Sequence, residues 1–327
     1  MEPKELVELL ELVESPGGLD QLLGHWNEQS PWEVPRSVRL ALAATDSAPA
    51  WSLLVRDFLG SLYVFEDAAV EGLAVRGRTL VTFDTNAWGI GASCRGVEDV
   101  VAHVWSAACV HAPELVRALA RHTLAIALVR EEHDEALVYM TVASDGYHRA
   151  PPPLDYTQWL HEDSEYRLSG LLGMAPAQRE TLRLKTSYDR DLVTPGRSAK
   201  GTCDYDLPPS LRTMLAVHGG WRTLGYGMDP PQEWAAWDWY SIDRGDDERF
   251  RERHGFDASD GVLIASGDSR QTTTLRIDGV GPDREPPALQ DFDRHHPHRD
   301  VWQWLTHRLC HEFFGFDAGT IDEGKVG

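Results

Sequence analysis

The sequence predicts an α+β fold built of two tandem modules, each a small mixed or antiparallel sheet packed with helices. Three observations predict it. The chain has 327 residues, long for one hydrophobic core and suited to two domains of roughly 150 residues each. Hydrophobic residues make up 42% and charged residues 25%, the balance of a folded globular chain. A ten-residue pattern also recurs. Val34-Pro35-Arg36-Ser37-Val38-Arg39-Leu40-Ala41-Leu42-Ala43 matches Leu207-Pro208-Pro209-Ser210-Leu211-Arg212-Thr213-Met214-Leu215-Ala216 at five identical positions, and two more exchange Val for Leu.

The elements follow in order. Leu6, Leu9, Leu10 and Val13 form the i, i+3, i+4, i+7 stripe of an amphipathic helix over residues 5–14. Ser15-Pro16-Gly17-Gly18 stops it, because Pro cannot continue a helix and Gly accepts the left-handed cap. A second helix is expected over 19–26, and the first Pro-led helix over 34–43. Residues 79–83 read as a strand, Asp84-Thr85-Asn86 as its turn and 88–92 as the returning strand. Residues 113–129 read as a helix and 136–143 as a strand. Residues 147–153, with Pro151, Pro152 and Pro153, read as a linker. Short helical pieces, broken by Gly170 and Gly173, are expected over 154–174. A helix over 177–192 opens the second module, and the second Pro-led helix follows. Strands over 262–265 and 272–277 flank a Ser266-Gly267-Asp268-Ser269 turn, and a helix over 300–314 closes the chain. The expected divisions are a degenerate module over 1–145, a connecting segment over 146–175 and a second module over 176–327. The order of helix, Pro-led helix, hairpin and helix thus occurs twice, a duplicated plan.

Charge narrows the partners. There are 52 acidic residues against 31 basic ones, a formal net charge of −21. Such a field repels nucleic acid, whose binding rests on Lys and Arg neutralising phosphates, and disfavours anionic membranes. It attracts a basic protein. No apolar run approaches the ~18 residues of a membrane helix. Met1-Glu2-Pro3-Lys4-Glu5 lacks the basic start and apolar core of a secretory signal, so the expected location is cytoplasmic. Cys94, Cys109, Cys203 and Cys310 form no C-x-x-C and are expected as free thiols.

A search for chemistry leaves little. Gly196-Arg197-Ser198-Ala199-Lys200-Gly201-Thr202 lacks the spacing of a phosphate loop. His311-Glu312 begins an H-E-x-x-H, but Gly315 stands where the second His belongs. His295, His296 and His298 lie between Asp293 and Asp300 in a loop containing Pro297, and His307 and His311 share a helix face beside Cys310. A polar loop and a structural helix are the favoured readings of these, and no metal or cofactor is expected. Asp204 with Asp206, and Asp291 with Asp293, read as caps and turns. Tryptophan is the stronger signal. Trp221, Trp234, Trp237 and Trp239 fall in one stretch with Tyr226 and Tyr240, edged by Asp238, Asp243, Asp246, Asp247 and Glu248. Trp and Tyr dominate binding hot spots, and an acidic rim steers a basic partner. The expected partner-binding residues are Trp234, Trp237, Asp238, Trp239, Asp243, Asp246, Asp247 and Glu248, with core filling as the competing reading of the tryptophans.

The second half resembles the SUKH superfamily, which includes cell-wall assembly regulators and bacterial immunity proteins of polymorphic toxin systems. Leu207-Pro208-Pro209-Ser210-Leu211-Arg212-Thr213-Met214-Leu215 is similar to that family's "LP" helix, and His218-Gly219-Gly220-Trp221 to its "HGG" corner. Val262-Leu263-Ile264-Ala265 with Gly267-Asp268 resembles its hairpin. Val301, Trp302, Leu305 and Leu309 stand where the family has its closing helix. The resemblance spans about residues 175–316. In the first half, Leu80-Val81-Thr82-Phe83 then Trp88-Gly89-Ile90 resembles a variant reading "ENQ-x-x-WG", of which only Asn86 remains. Thr45-Asp46-Ser47 replaces the "HGG" corner. The resemblance implies an α+β fold and protein recognition. The expected function is non-catalytic: an immunity or adaptor protein that neutralises or docks a basic toxin or effector by stoichiometric binding. The alternatives are a metal-dependent hydrolase using the His-rich C-terminal region and a scaffold subunit of a larger bacterial assembly.

Overall fold

The computed structural model describes residues 47–144, 166–177, 181–187, 200–231, 234–236, 261–267, 272–276, 288–290 and 300–314, together with residues 8, 11, 12, 15–18, 21, 42, 43, 45, 252 and 298. The fold is α+β. The chain forms two compact units, residues 1–175 with 306–327, and residues 176–305. Among the described residues no helix is long and apolar enough to cross a membrane.

The first unit opens with α1 (Ala48–Leu62). Ser47 caps it by accepting the Ala50 N–H at 3.4 Å, Pro49 sits in the first turn and Tyr63 ends it in the left-handed region. The strands β1 (Ala69–Val75), β2 (Arg78–Val81), β3 (Thr123–Glu131), β4 (Asp134–Ser144) and β5 (Tyr166–Met174) form an antiparallel sheet in the order β2-β1-β3-β4-β5. Between β2 and β3 come α2 (Val97–Val104) and α3 (Pro113–His122). Both faces of the sheet are covered. Trp51, Leu54, Val55 and Phe58 of α1 pack with Ala125, Ala127, Val129, Val138, Met140 and Leu172. The Leu, Val, Phe and Met side chains among these each contribute roughly 1.5–3 kcal/mol when fully buried. Successive strand residues point to opposite faces, so Tyr139 points away from α1. It is wholly buried, and its hydroxyl accepts the Trp105 indole N–H at 3.1 Å. Arg76 ties the second layer down, its Nη2 donating to the carbonyls of Ala120, Arg121 and Thr123 at the end of α3.

Four expectations need correction here. The helix over 113–129 stops at His122, and Thr123 begins β3. This strand is buried on both faces, so its sequence shows no alternation. The helical pieces over 154–174 include residues that form β5. Gly170 is needed there because a Cβ at that position would lie 2.5 Å from the Phe58 ring. The strand over 79–83 is β2, but its hairpin partner is β1, joined through Arg76-Gly77 with Val75 opposite Arg78. Residues 88–92 form no strand. The strand expected over 136–143 is β4.

In the second unit, the expected opening helix over 177–192 contains a strand instead. Here β6 (Thr181–Ser187) pairs with β7 (Lys200–Asp206) along its whole length. Its text, Thr-Leu-Arg-Leu-Lys-Thr, alternates with period two. The Pro-led helix is present as α4 (Pro209–Val217). Next come β8 (Trp221–Arg222), β9 (Tyr226–Met228), β10 (Ala235–Ala236), β11 (Gly261–Gly267), β12 (Thr272–Arg276) and β13 (Ala288–Gln290). They pair antiparallel in the order β8-β9-β11-β12-β13, with β10 also on β11. The β11–β12 hairpin is the one expected from sequence. α5 (Val301–His307) begins the closing helix, which continues as a π-helical turn over Arg308–Phe313. Of the first Pro-led segment only Leu42 and Ala43 are described, both helical; residues 34–41 and the linker over 147–153 lie outside the described residues.

Candidate functional site

Of the eight expected partner-binding residues, Trp234 alone is described. Trp234 is 5% exposed, and its indole N–H donates to the Asp229 carbonyl at 2.6 Å. Asp229 in turn pairs with Arg222 at 3.1 Å. Burial raises the Asp229 carboxyl above its ordinary value, against the pull of Arg222. Trp234 therefore closes a turn in the core and cannot serve as an exposed hot-spot residue. Trp237, Asp238, Trp239, Asp243, Asp246, Asp247 and Glu248 lie outside the described residues, as do Asp268, His295 and His296.

The described family-like motif residues are packed against their neighbours. Leu207, Leu211 and Leu215 are buried. His218, Gly219 and Gly220 are buried at the end of α4, and the His218 N–H closes the helix on the Met214 carbonyl at 3.0 Å. Trp221 packs against Tyr226 and Trp304, ring centroids 5.9 Å apart in each case. Gly267 lies opposite Tyr226, where a Cβ would meet the Tyr226 ring at 2.6 Å. The Tyr226 hydroxyl bonds the buried Thr273 side chain. Among the described residues no three metal-ligating side chains converge.

The first unit carries a better defined feature, the loop between β2 and α2. Asn86 organises it. Its Oδ1 accepts the Trp88 N–H at 3.1 Å and the Ile90 N–H at 3.0 Å. Its Nδ2 donates to the carbonyls of Asp84 at 2.7 Å and Ile90 at 2.9 Å. The Gly89 N–H bonds the Asn86 carbonyl at 3.1 Å, closing a turn in which Gly89 has φ 66°, a region glycine enters freely. Three sheet and helix residues hold the loop from outside. Arg130 donates to the Thr85 carbonyl at 2.9 Å while paired with Glu71 and Glu135. Glu135 accepts the Ala87 N–H at 2.8 Å. His103 Nε2 lies 2.9 Å from the Trp88 carbonyl. Phe83 is buried on Gly72, where a Cβ would lie 2.6 Å from its ring. The outcome is a braced surface loop holding Trp88 half-buried, with Asp84, Thr85 and Ala87 exposed. Asn86 was visible in the sequence as the remnant of the "ENQ" text. Its bracing by Arg130 and Glu135 was not, since those partners sit more than forty residues away.

Beside this loop lies a pocket of about 220 Å³, lined by Thr79, Thr82, Phe83, Gly91, Ala92, Cys94 and Arg95. Thr79 donates its hydroxyl to the Cys94 carbonyl at 3.1 Å, and Asp99 accepts the Arg95 backbone N–H at 2.8 Å. His103, the histidine nearest in sequence, is engaged with Trp88. No protein-family model, curated protein or solved structure matches this chain; the likeness to the SUKH superfamily therefore stands on its motif residues alone.

Proposed function

We propose that the chain is a non-catalytic, stoichiometric protein-binding protein, an immunity or adaptor protein directed at a basic toxin or effector. The observation that carries this reading is the braced loop around Asn86. Four side-chain hydrogen bonds from one residue fix a surface turn that bears a tryptophan. A loop ordered before binding loses little entropy on association, and tryptophan is the commonest hot-spot residue. The net charge of −21 favours a cationic partner and speeds the encounter. The second surface in this reading is the acidic aromatic stretch over 237–248, with Trp237 and Trp239 as its apolar contacts. The tandem-module reading belongs to the same proposal, with the second unit as the SUKH-like module and the first as its degenerate copy.

The test is calorimetric titration of the chain with the protein that it captures from native lysate. A one-to-one complex is expected, weakened about thirtyfold by Trp88→Ala or Trp237→Ala, the hot-spot scale of ~2 kcal/mol. Charge reversal at Asp246 and Asp247 is expected to slow association and flatten its salt dependence. Unchanged affinity in all of these variants refutes the assignment of the surfaces. Sub-stoichiometric inactivation of the partner refutes the non-catalytic reading.

A further inference from the structure

We propose that the pocket beside the braced loop is a binding site for a carboxylate bearing an apolar or aromatic tail. This stands apart from the partner-binding reading, because the occupant is anionic where that partner is basic. Four observations support it. The Arg95 side chain is exposed and lines the pocket. Among the described residues its guanidinium has no hydrogen bond or ion pair, its one bond being through the backbone N–H. In a chain carrying −21, an unpaired guanidinium at a concave surface is a cation held available, and its fork geometry suits a carboxylate. The lining also includes Phe83 and Cys94, both buried. Thr82, which carries a hydroxyl, also lines the pocket.

Size then sets the ligand class. Cofactor and drug pockets run to roughly 300–1,000 Å³. About 220 Å³ admits something nearer a single large side chain. An anion meets two costs here, the overall negative field and the nearby Asp99. Screening confines the first to about 8 Å at physiological salt. The Asp99 carboxylate is already engaged by the Arg95 backbone N–H. Such a ligand has two sources, a free small acid or the C-terminal residue of a peptide.

Calorimetric titration separates these. The probes are phenylacetate, its neutral analogue phenylacetamide, and a short peptide ending in phenylalanine with its C-terminus free or amidated. Saturable binding is expected for phenylacetate, the free-acid peptide or both, and which of them binds identifies the source. Each neutral analogue is expected to bind about tenfold more weakly or worse, the scale of a lost charge-assisted contact. Arg95→Gln gives the same loss without touching the backbone bond to Asp99. Gly91→Leu, at a position with open space around a Cβ, blocks the pocket and abolishes binding while preserving the melting temperature. The proposal is overturned if neither acid saturates below about 10 mM, or if acids and amides bind alike. Binding that survives Arg95→Gln also overturns it.

Discussion

Asn86→Ala removes four hydrogen bonds at once and leaves the backbone N–H groups of Trp88 and Ile90 without their acceptor. A net hydrogen bond contributes about 1 kcal/mol. Asn86 is half-buried, so water replaces part of the loss, and the expected destabilisation is about 2 kcal/mol. That is a large share of the roughly 5–15 kcal/mol that holds a domain together. In urea unfolding followed by circular dichroism, it corresponds to a midpoint drop of about 1 M at a slope near 2 kcal/mol/M. Asn86→Asp is the informative companion. It keeps both acceptor bonds to Trp88 and Ile90, but turns a carboxylate oxygen toward the carbonyls of Asp84 and Ile90. The two variants should lose comparable stability, and hydrogen exchange at the Trp88 and Ile90 amides should rise more in the Ala variant. A midpoint shift below about 0.2 M in Asn86→Ala, with exchange unchanged, refutes the claim that this side chain organises the loop.

Other expectations follow from the same geometry. Gly170→Ala drives a Cβ to 2.5 Å from the Phe58 ring and should cost about 1–3 kcal/mol by overpacking; Phe58→Leu in the same chain should restore part of it, as read by thermal melting. His122 is buried against the Phe314 ring, and its imidazole is lowered to about 3, first by burial and then by Arg121 and Arg76. Above the unfolded value of 6.5 both states are neutral and no penalty exists. As pH falls below 6.5 the unfolded state takes up the proton first, so stability falls by up to about 1.4 kcal/mol per pH unit until pH 3. His122→Phe should flatten that acid limb in pH-dependent unfolding. Burial, followed by Glu114, pushes the Cys310 thiol up to about 12, whereas Cys109 is exposed. Alkylation followed by peptide mass analysis should therefore label Cys109 in the native protein and reach Cys94 and Cys310 after denaturation.

What was legible in the sequence follows from which residues face water. The β11–β12 hairpin, the Pro-led α4 and β4 were readable because alternation, a helix-starting Pro and β-branched residues each mark them locally. β3 was not. Thr123-Leu124-Ala125-Ile126-Ala127-Leu128-Val129 is covered by α1 on one face and by the layer of Trp105 on the other, so after Thr123 it carries no polar position to reveal its period. β5 was missed because Gly170 and Gly173 weaken a helix and a strand alike; the reason for Gly170 lies across space, in the Phe58 ring. β6 was misread although Leu182 and Leu184 alternate with Thr181, Arg183 and Lys185, because an alternation this short is weak beside the helix that a duplicated plan requires. The candidate loop was half visible. Asn86 and Trp88 stood out as motif remnants, but they were read as a turn and a strand because bonds to Arg130, Glu135 and His103 are set by topology and leave no local trace.

The proposed mode of action is the holding of a partner through a preorganised tryptophan loop. The most direct measurement is the affinity of the captured basic protein for the wild-type chain, Trp88→Ala and Asn86→Ala, each checked for folding by circular dichroism. One-to-one binding is expected. Trp88→Ala should weaken it about thirtyfold with stability nearly unchanged. Asn86→Ala should weaken it chiefly through slower association, as the loop must order on contact. Equal affinity for all three chains contradicts partner binding through this loop.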